Sequence, residues 1–313
     1  MLPEKTDEFR LIDHFRRLSP GREDVPLGIG DDTAVVNWSS PQGLLASDML
    51  LEGVHFTMPP ATPKQVGRKT LAVNLSDVAA MAGRPRFALV SLALPNDRAS
   101  TIAPLLFAGM AKLAAEFDVA IVGGDTNSWD GPLVINIAIT GDAPPGGAVR
   151  RSGAQPGDWL FVTGRLGGSI TGHHLNFTPR GIEASILNET VQLHAMIDIT
   201  DGLVADLYHI LEESGVGAQL NAQSIPISGI PTQASDGRSP LEHALGDGED
   251  FELLFSVTPE DGQRLIDDNP LDIPLTKIGT LTTASECVLT QSDGQTLPLP
   301  RLGWSHRCGA TRQ

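Results

Sequence analysis

The chain has 313 residues, enough for one large or two medium domains, and its 41% hydrophobic and 19% charged residues are the balance of a globular protein. Its 38 acidic against 22 basic residues leave a formal net charge of −16. That argues against a nucleic-acid binder, which needs a basic face, but leaves nucleotides open, because divalent ions invert the local sign. Residues Phe9 to Leu18 place Phe9, Ile12, Phe15 and Leu18 at helical spacing, and Ser19-Pro20-Gly21 ends the run. Leu27 to Phe56 reads as two buried strands with acids at their ends, Asp31-Asp32 and Ser47-Asp48. Lys69 to Ala82 reads as a helix with Leu71, Leu75, Val78 and Ala82 on one stripe and Asn74 and Asp77 sharing its flank. Phe87 to Leu94 is a buried strand closed by Pro95, and Ser100 caps a helix running to Phe117. Val119 to Val122 is a short strand ending in Gly123-Gly124-Asp125-Thr126, and Leu133 to Thr140 alternates, with Ile135, Ile137 and Ile139 on one face.

Pro144-Pro145-Gly146-Gly147 is the best linker, which gives domains 1–145 and 146–313. Beyond it, Trp159 to Thr163 is a strand entering the glycine turn Gly164 to Ser169, which either is a tight strand-to-helix turn or cradles phosphate on its amides. Asp198 and Asp201 precede a helix with Leu203, Leu207, Ile210 and Leu211, stopped by Gly215. Asn221 to Pro240 is a loop, Phe251 to Val257 a buried strand, and Thr258-Pro259-Glu260 starts a helix. Cys287 and Cys308 read as free thiols. With no apolar signal core and no run of about 18 apolar residues, a cytoplasmic chain without a membrane contact is expected.

Acids beside small residues recur at Asp31-Asp32, Asp48, Asp77, Asp125 and Asp198 with Asp201. One such aspartate serves equally as a turn or cap residue. The recurrence, with oxygen ligands and no His or Cys cluster, points to magnesium, which takes one or two carboxylates plus waters and substrate phosphates. No Walker-type, dinucleotide or protein-kinase motif is present. His55 near the second acidic station is either packed or functional, Arg150-Arg151 either solvated or phosphate-facing, and Trp304 either packing or an aromatic lid.

The ordered set GIGDD (28–32), SDMLLEGVHF (47–56), AVNLSDVAAMAGRP (72–85), GGDT (123–126), RSGAQPGDWLFVTG (151–164), IDITDGLVADLYHI (197–210) and GEDFELLF (248–255) resembles the thiamine-monophosphate kinase family. That family belongs to the ATP-binding superfamily of aminoimidazole ribonucleotide synthetase and selenophosphate synthetase. The resemblance spans nearly the whole chain. It implies an α/β (α+β) fold of two domains. The amino-terminal one, with flanking helices, binds ATP and magnesium and forms a dimeric β-barrel; the carboxy-terminal α/β domain completes the nucleotide and substrate site. It implies ATP-dependent phosphorylation of thiamine monophosphate to thiamine diphosphate by direct in-line transfer in a homodimer, with several Mg²⁺ ions and no acid–base residue. By motif position it makes Asp32, Ser47, Asp48, Asp77, Asp125, Asp198 and Asp201 metal ligands, Gly124, Asp125, Arg151 and Thr200 nucleotide contacts, and His55, Glu249 and Trp304 substrate contacts. Three departures stand out: Asp247 replaces a glycine, Thr200 replaces a serine, and the stretch from Ser169 to Pro179 is shorter than in the family. The alternatives are another ATP-using member of the superfamily or a non-catalytic Mg-nucleotide module. The absence of any Cys before Cys287 counts against selenophosphate synthetase.

Overall fold

A computed structural model of the chain describes residues 7–19, 21–29, 33–229 and 236–304. It divides into two compact units, one made of Met1–Val78, Gly83–Gly147 and Leu175–Pro179, the other of Ala79–Ala82, Ala148–His174 and Arg180–Gln313. The architecture is mixed α/β, with one sheet in each unit.

The first unit runs α1 (Asp7–Leu18), β1 (Gly43–Leu51), α2 (Pro63–Ala80), β2 (Arg84–Pro95), α3 (Ala99–Glu116), β3 (Ala120–Trp129) and β4 (Val134–Asp142). Its four strands lie in the order β1-β4-β2-β3, antiparallel except for the β2–β3 pair. The alternation of β4 is realised: Ile135, Ile137 and Ile139 are fully buried and the residues between them are half-buried. β3 is longer than its apolar start suggests, because pairing with β2 carries it through the GGDT segment to Pro95↔Trp129. α3 starts at Ala99 after Arg98, with no side-chain cap, so Ser100 sits inside the helix and does not cap it.

In place of the first expected strand, the described residues 21–29 and 33–36 make isolated bridges, Arg22↔Val25 and Leu27↔Val35, and no ladder. Their apolar side chains are used for packing, with Val25, Ala34 and Val36 lying on Phe87, Ala120 and Val122. Ion pairs hold the segment down: Asp24 meets Arg22 at 2.9 Å and Arg86 at 2.6 Å, and Arg86 also meets Asp142 at 3.1 Å.

Beyond residue 147 the chain runs β5 (Trp159–Thr163), a 3₁₀ turn (Ser169–Thr171), α4 (His173–Asn176), α5 (Gly181–Thr190), β6 (Ala195–Asp198), α6 (Leu203–Ser214), β7 (Gly217–Asn221), a 3₁₀ turn (Ala222–Ser224), α7 (Pro240–Gly246), β8 (Leu253–Val257), α8 (Pro259–Asp267), β9 (Leu275–Thr282), β10 (Cys287–Thr290) and β11 (Thr296–Pro298), all in the second unit except the end of α4. That unit's seven strands lie in the order β11-β10-β7-β9-β5-β8-β6. Both faces of this sheet are covered, which is why β5 and β8 read as unbroken apolar runs. Leu160, Val162 and Leu254 pack with Leu203, Leu207, Ile210 and Leu211 of α6. On the other face Phe161 and Phe255 stack at 5.6 Å and pack with Leu187 of α5 and Leu265 of α8. Gly215 ends α6 in the left-handed region, and Thr258 caps α8 by accepting the Asp261 amide. β8 starts two residues later than its apolar run suggests, because Phe251 has a φ of 51°. Cys287 is buried, which pushes its thiol up to about 11; Cys308 lies outside the described residues. Among the described residues no helix is long and apolar enough to cross a membrane.

Candidate functional site: two sets of carboxylates

In the first unit the acids converge from β1 and α2. Asp48 lies on the helix-covered face of the sheet, level with the buried Ile137 and Val90. Its amide donates to Oδ1 of the buried Asn74 at 3.2 Å, which seats β1 against α2. One turn along α2, the Asp77 carboxyl hydrogen-bonds the Asp48 carboxyl. Burial raises the Asp48 pKa, and the bond from Asp77 and the charge of His55 oppose that rise. Two carboxyls in mutual contact favour a shared proton or a bound cation over two free charges.

His55 is fixed by its own turn. Its Nδ1 accepts the Leu51 amide at 3.0 Å, so in the neutral ring the proton sits on Nε2. Its carbonyl accepts the ammonium of Lys69 at 2.8 Å, and Lys69 is completely buried. Lys69 went unnoticed in the sequence, where a Lys at the start of a helical stripe reads as solvated.

Ser47 and Asp125 project from the opposite face. The rows Ser47–Ala138–Leu89–Gly123 and Met49–Asn136–Ser91–Asp125 flank the row that carries Asp48 and ends at Gly124. Ser47 Oγ donates to Asn136 Oδ1 at 3.1 Å, and Asn127 Nδ2 donates to Asp125 at 2.8 Å. Gly124 has a φ of 151°, and a Cβ there would lie 1.8 Å from the Val90 carbonyl oxygen, so no other residue fits. This open face borders a cavity of about 1460 Å³ whose lining includes Ser47, Leu89, Ser91 and Thr126. Asp32 lies outside the described residues.

In the second unit β6 delivers the buried Asp198, and the next four residues turn into α6. The amides of Thr200, Asp201 and Gly202 all donate to one oxygen, Oδ2 of Asp206, at 2.8, 3.0 and 3.2 Å. Asp206 is buried, and its pKa rises to about 7, first by burial and then through the charge of Asp198. Sequence reading missed Asp206, although an acid in the first turn after Gly202 is the available signal.

The carbonyls of the same loop carry two of the three expected substrate contacts, Glu249 and Trp304. Thr200 O accepts the Glu249 amide at 2.7 Å, and Asp201 O accepts the Trp304 amide at 2.9 Å. Glu249 and Phe251 both hold positive φ, 54° and 51°. Trp304 is 57% exposed. Arg151 is exposed; its charge, after burial and Arg301, helps lower the pKa of His209 on α6.

The glycine turn is already filled by the protein. Gly167 N donates to both oxygens of Asp250 at 3.0 and 3.1 Å, and Ser169 Oγ donates to Asp250 at 2.5 Å. Gly168 N donates to Asp247 at 3.1 Å, which also meets His243 Nδ1 at 2.9 Å and Arg238 at 2.8 Å. The tight-turn reading therefore holds, and the Asp at 247 is absorbed as a strut. Beside it Glu252 is buried against Arg180 and the Thr163 hydroxyl.

Among the described residues no three His, Cys, Asp or Glu side chains stand grouped to hold a metal ion by themselves. The donor set instead suits an ion that takes one or two carboxylates and completes its shell with water and phosphate oxygens, the habit of magnesium. Asp48 with Asp77 fits that requirement.

The comparisons agree with these motifs. Residues 30–143 match the family model of the AIR synthase related protein, N-terminal domain. The thiamine-monophosphate kinase of Rhodopirellula baltica (strain DSM 10527 / NCIMB 13988 / SH1) is 44% identical over 267 residues, 82% of this chain and 83% of that protein. The crystal structure of thiamine-monophosphate kinase from Stenotrophomonas maltophilia K279a superposes with a TM-score of 0.80 at 34% identity, covering 92% of this chain and 97% of that one. The structure of AaThiL complexed with AMPPCP and TMP does so with a TM-score of 0.75 at 30% identity, covering 98% and 100%. At this identity over this much of both chains, the chain belongs to the thiamine-monophosphate kinase family.

Proposed function

We propose that the chain transfers the γ-phosphoryl group of ATP to the phosphate of thiamine monophosphate, giving thiamine diphosphate and ADP in thiamine diphosphate biosynthesis. The observation that carries this is the match, end to end, with a chain solved with AMPPCP and TMP. The nucleophile is a phosphate oxygen, mostly ionised at neutral pH because its second pKa is about 6. No side chain has to remove a proton, so the residues position the reactants and neutralise charge for an in-line transfer.

Asp48 and Asp77, with Asp32, Ser47, Asp125, Asp198 and Asp201, are the proposed magnesium ligands. Bound magnesium would offset the repulsion between two anionic substrates and an acidic protein. Gly124, Asp125, Arg151 and Thr200 contact the nucleotide; the bare backbone of Gly124 lets an anion approach, and Arg151 supplies an exposed cation. His55, Glu249 and Trp304 contact thiamine monophosphate. Trp304 stacks on the cationic thiazolium, and Glu249 pairs with it or accepts its hydrogen bonds. Residues 1–145 thereby serve magnesium, nucleotide and self-association, and residues 146–313 nucleotide and substrate.

The self-association is a homodimer in which the open faces of two four-stranded sheets close into a barrel. It is supported by the apolar side chains that face carries: Leu45 is 79% exposed, Met49 54% and Leu89 45%. Ser47 and Asp125 lie on that face, so their contribution depends on the association. The enzyme works in the cytoplasm. ADP release with thiamine monophosphate, hydroxymethylpyrimidine phosphate and thiamine, measured side by side, tests the assignment. Turnover with thiamine monophosphate alone is expected, and ATP binding without turnover on any of the three contradicts it.

A further inference from the structure

The loop Ile199–Gly202 has its two sides occupied by different partners. On the amide side, Thr200, Asp201 and Gly202 converge on Oδ2 of Asp206. On the carbonyl side, Ile199 takes Phe251, Thr200 takes Glu249, and Asp201 takes Trp304, at 2.8, 2.7 and 2.9 Å. A backbone whose N–H groups share one acceptor has its peptide planes fixed, and so the directions of the carbonyls in those same planes, here those of Ile199, Thr200 and Asp201. Two of the three residues assigned to thiamine monophosphate, Glu249 and Trp304, thus hang by their own amides from Thr200, assigned to the nucleotide, and Asp201, assigned to the metal.

Two details show that the arrangement is tightly set. Glu249 holds a left-handed conformation that a non-glycine residue keeps only where its surroundings determine it. Gly303, with a φ of 145°, passes so close to the loop that a Cβ there would lie 2.5 Å from the Asp201 carbonyl oxygen and 2.6 Å from the Ala205 methyl. The tail therefore lies on this loop only because residue 303 has no side chain.

We propose that Asp206 is a positioning residue that couples the two substrates: through the Thr200 and Asp201 peptides it transmits occupancy of the nucleotide subsite to Glu249 and Trp304, so Mg-nucleotide and thiamine monophosphate bind with positive cooperativity. The coupling rests on the kinase reading. Asp206 itself touches neither substrate. Ordering the loop for one ligand leaves less to order for the other, and linkage makes the effect reciprocal.

The test is calorimetric. Thiamine monophosphate is titrated into the full chain with and without Mg-AMPPCP, and the reverse titration is run as a check. The native chain is expected to bind thiamine monophosphate at least about 5-fold more tightly with Mg-AMPPCP present, the low end of common coupling factors. Asp206→Ala reduces that ratio to under about 2-fold, and Asp206→Asn, which keeps a carbonyl oxygen for the amides, restores most of it. Should Asp206→Ala not fold, Gly303→Ala serves, because its added methyl displaces the exposed tail. It is expected to weaken thiamine monophosphate binding and the ratio while leaving Mg-AMPPCP binding alone. A ratio near one in the native chain, or an undiminished ratio in Asp206→Ala or Gly303→Ala, overturns the coupling while leaving the kinase assignment in place. No binding of thiamine monophosphate under any condition overturns both.

Discussion

Asp48 of the first unit and Asp206 of the second are both held above the ordinary carboxylate range by burial, but their partners differ in kind. Asp206 is surrounded by donors, three backbone amides on one oxygen, and its companion Asp250 likewise takes a glycine amide and a serine hydroxyl. Asp48 faces another acid, Asp77. A carboxylate ringed by amides is complete and works as a structural anchor. A carboxyl whose partner is a second carboxyl gains most from a nearby cation. The same residue type is thus an anchor in one unit and, on the proposed reading, a magnesium ligand in the other.

Replacing one member of the Asp48–Asp77 pair should break this contrast most strongly. Asp77→Asn is expected to lower kcat by on the order of 10²–10³ at saturating substrates, the scale of losing one preorganised electrostatic contact. Its melting temperature without magnesium should stay level or rise, because the carboxyl pair is relieved. Asp250→Ala is expected to act the other way. It strands the Gly167 amide and the Ser169 hydroxyl, costs about 1–3 kcal/mol of stability by urea unfolding, and raises KM for thiamine monophosphate more than it lowers kcat.

Asp250 also sets a pH dependence. Burial raises its pKa to about 7 from an unfolded 3.8, with Glu252 and Asp247 adding to the rise and Ser169 and Gly167 opposing it. The folded chain therefore keeps a proton that the unfolded chain releases. The stability this contributes is present below about pH 4 and is lost as pH rises through about 7. Urea unfolding across that window should show the decline, and Asp250→Asn should flatten it. The smallest expected effect on the fold is at the open sheet face. Leu45→Asp should leave the melting temperature within a few degrees yet shift sedimentation from dimer to monomer; an unchanged dimer would place the association elsewhere.

Much of the fold was legible because periodicity and stop signals are local. Ile135, Ile137 and Ile139 announce β4, Gly215 ends α6, and Thr258-Pro259 opens α8. The segment around Leu27 to Val36 misled because its apolar residues pack as side chains on Phe87 and Val122, and nothing in one sequence separates that from a strand. α7 starts where the Pro-, Ser- and Gly-rich stretch Asn221–Pro240 ends and has no expected helix in the sequence reading, although Ser239 and Glu242 form a capping box at its start. Of the expected site residues, Asp48, Asp77 and Arg151 are exposed or half-buried, and motif position singles them out in the sequence. It does not single out Asp206, Asp250 and Lys69, since a charged residue near a helix start or glycine turn reads as solvated, and only tertiary packing buries it.

In the proposed mechanism, magnesium held by the Asp48–Asp77 pair lets one phosphate reach another. The most direct measurement is formation of thiamine diphosphate from γ-labelled ATP and thiamine monophosphate by the native chain and by Asp77→Asn, across a magnesium titration. The prediction is label in thiamine diphosphate from the native chain only when magnesium is present, with Asp77→Asn needing far more of the ion and remaining slow at saturation. Equal rates and equal magnesium dependence in the two proteins would contradict it.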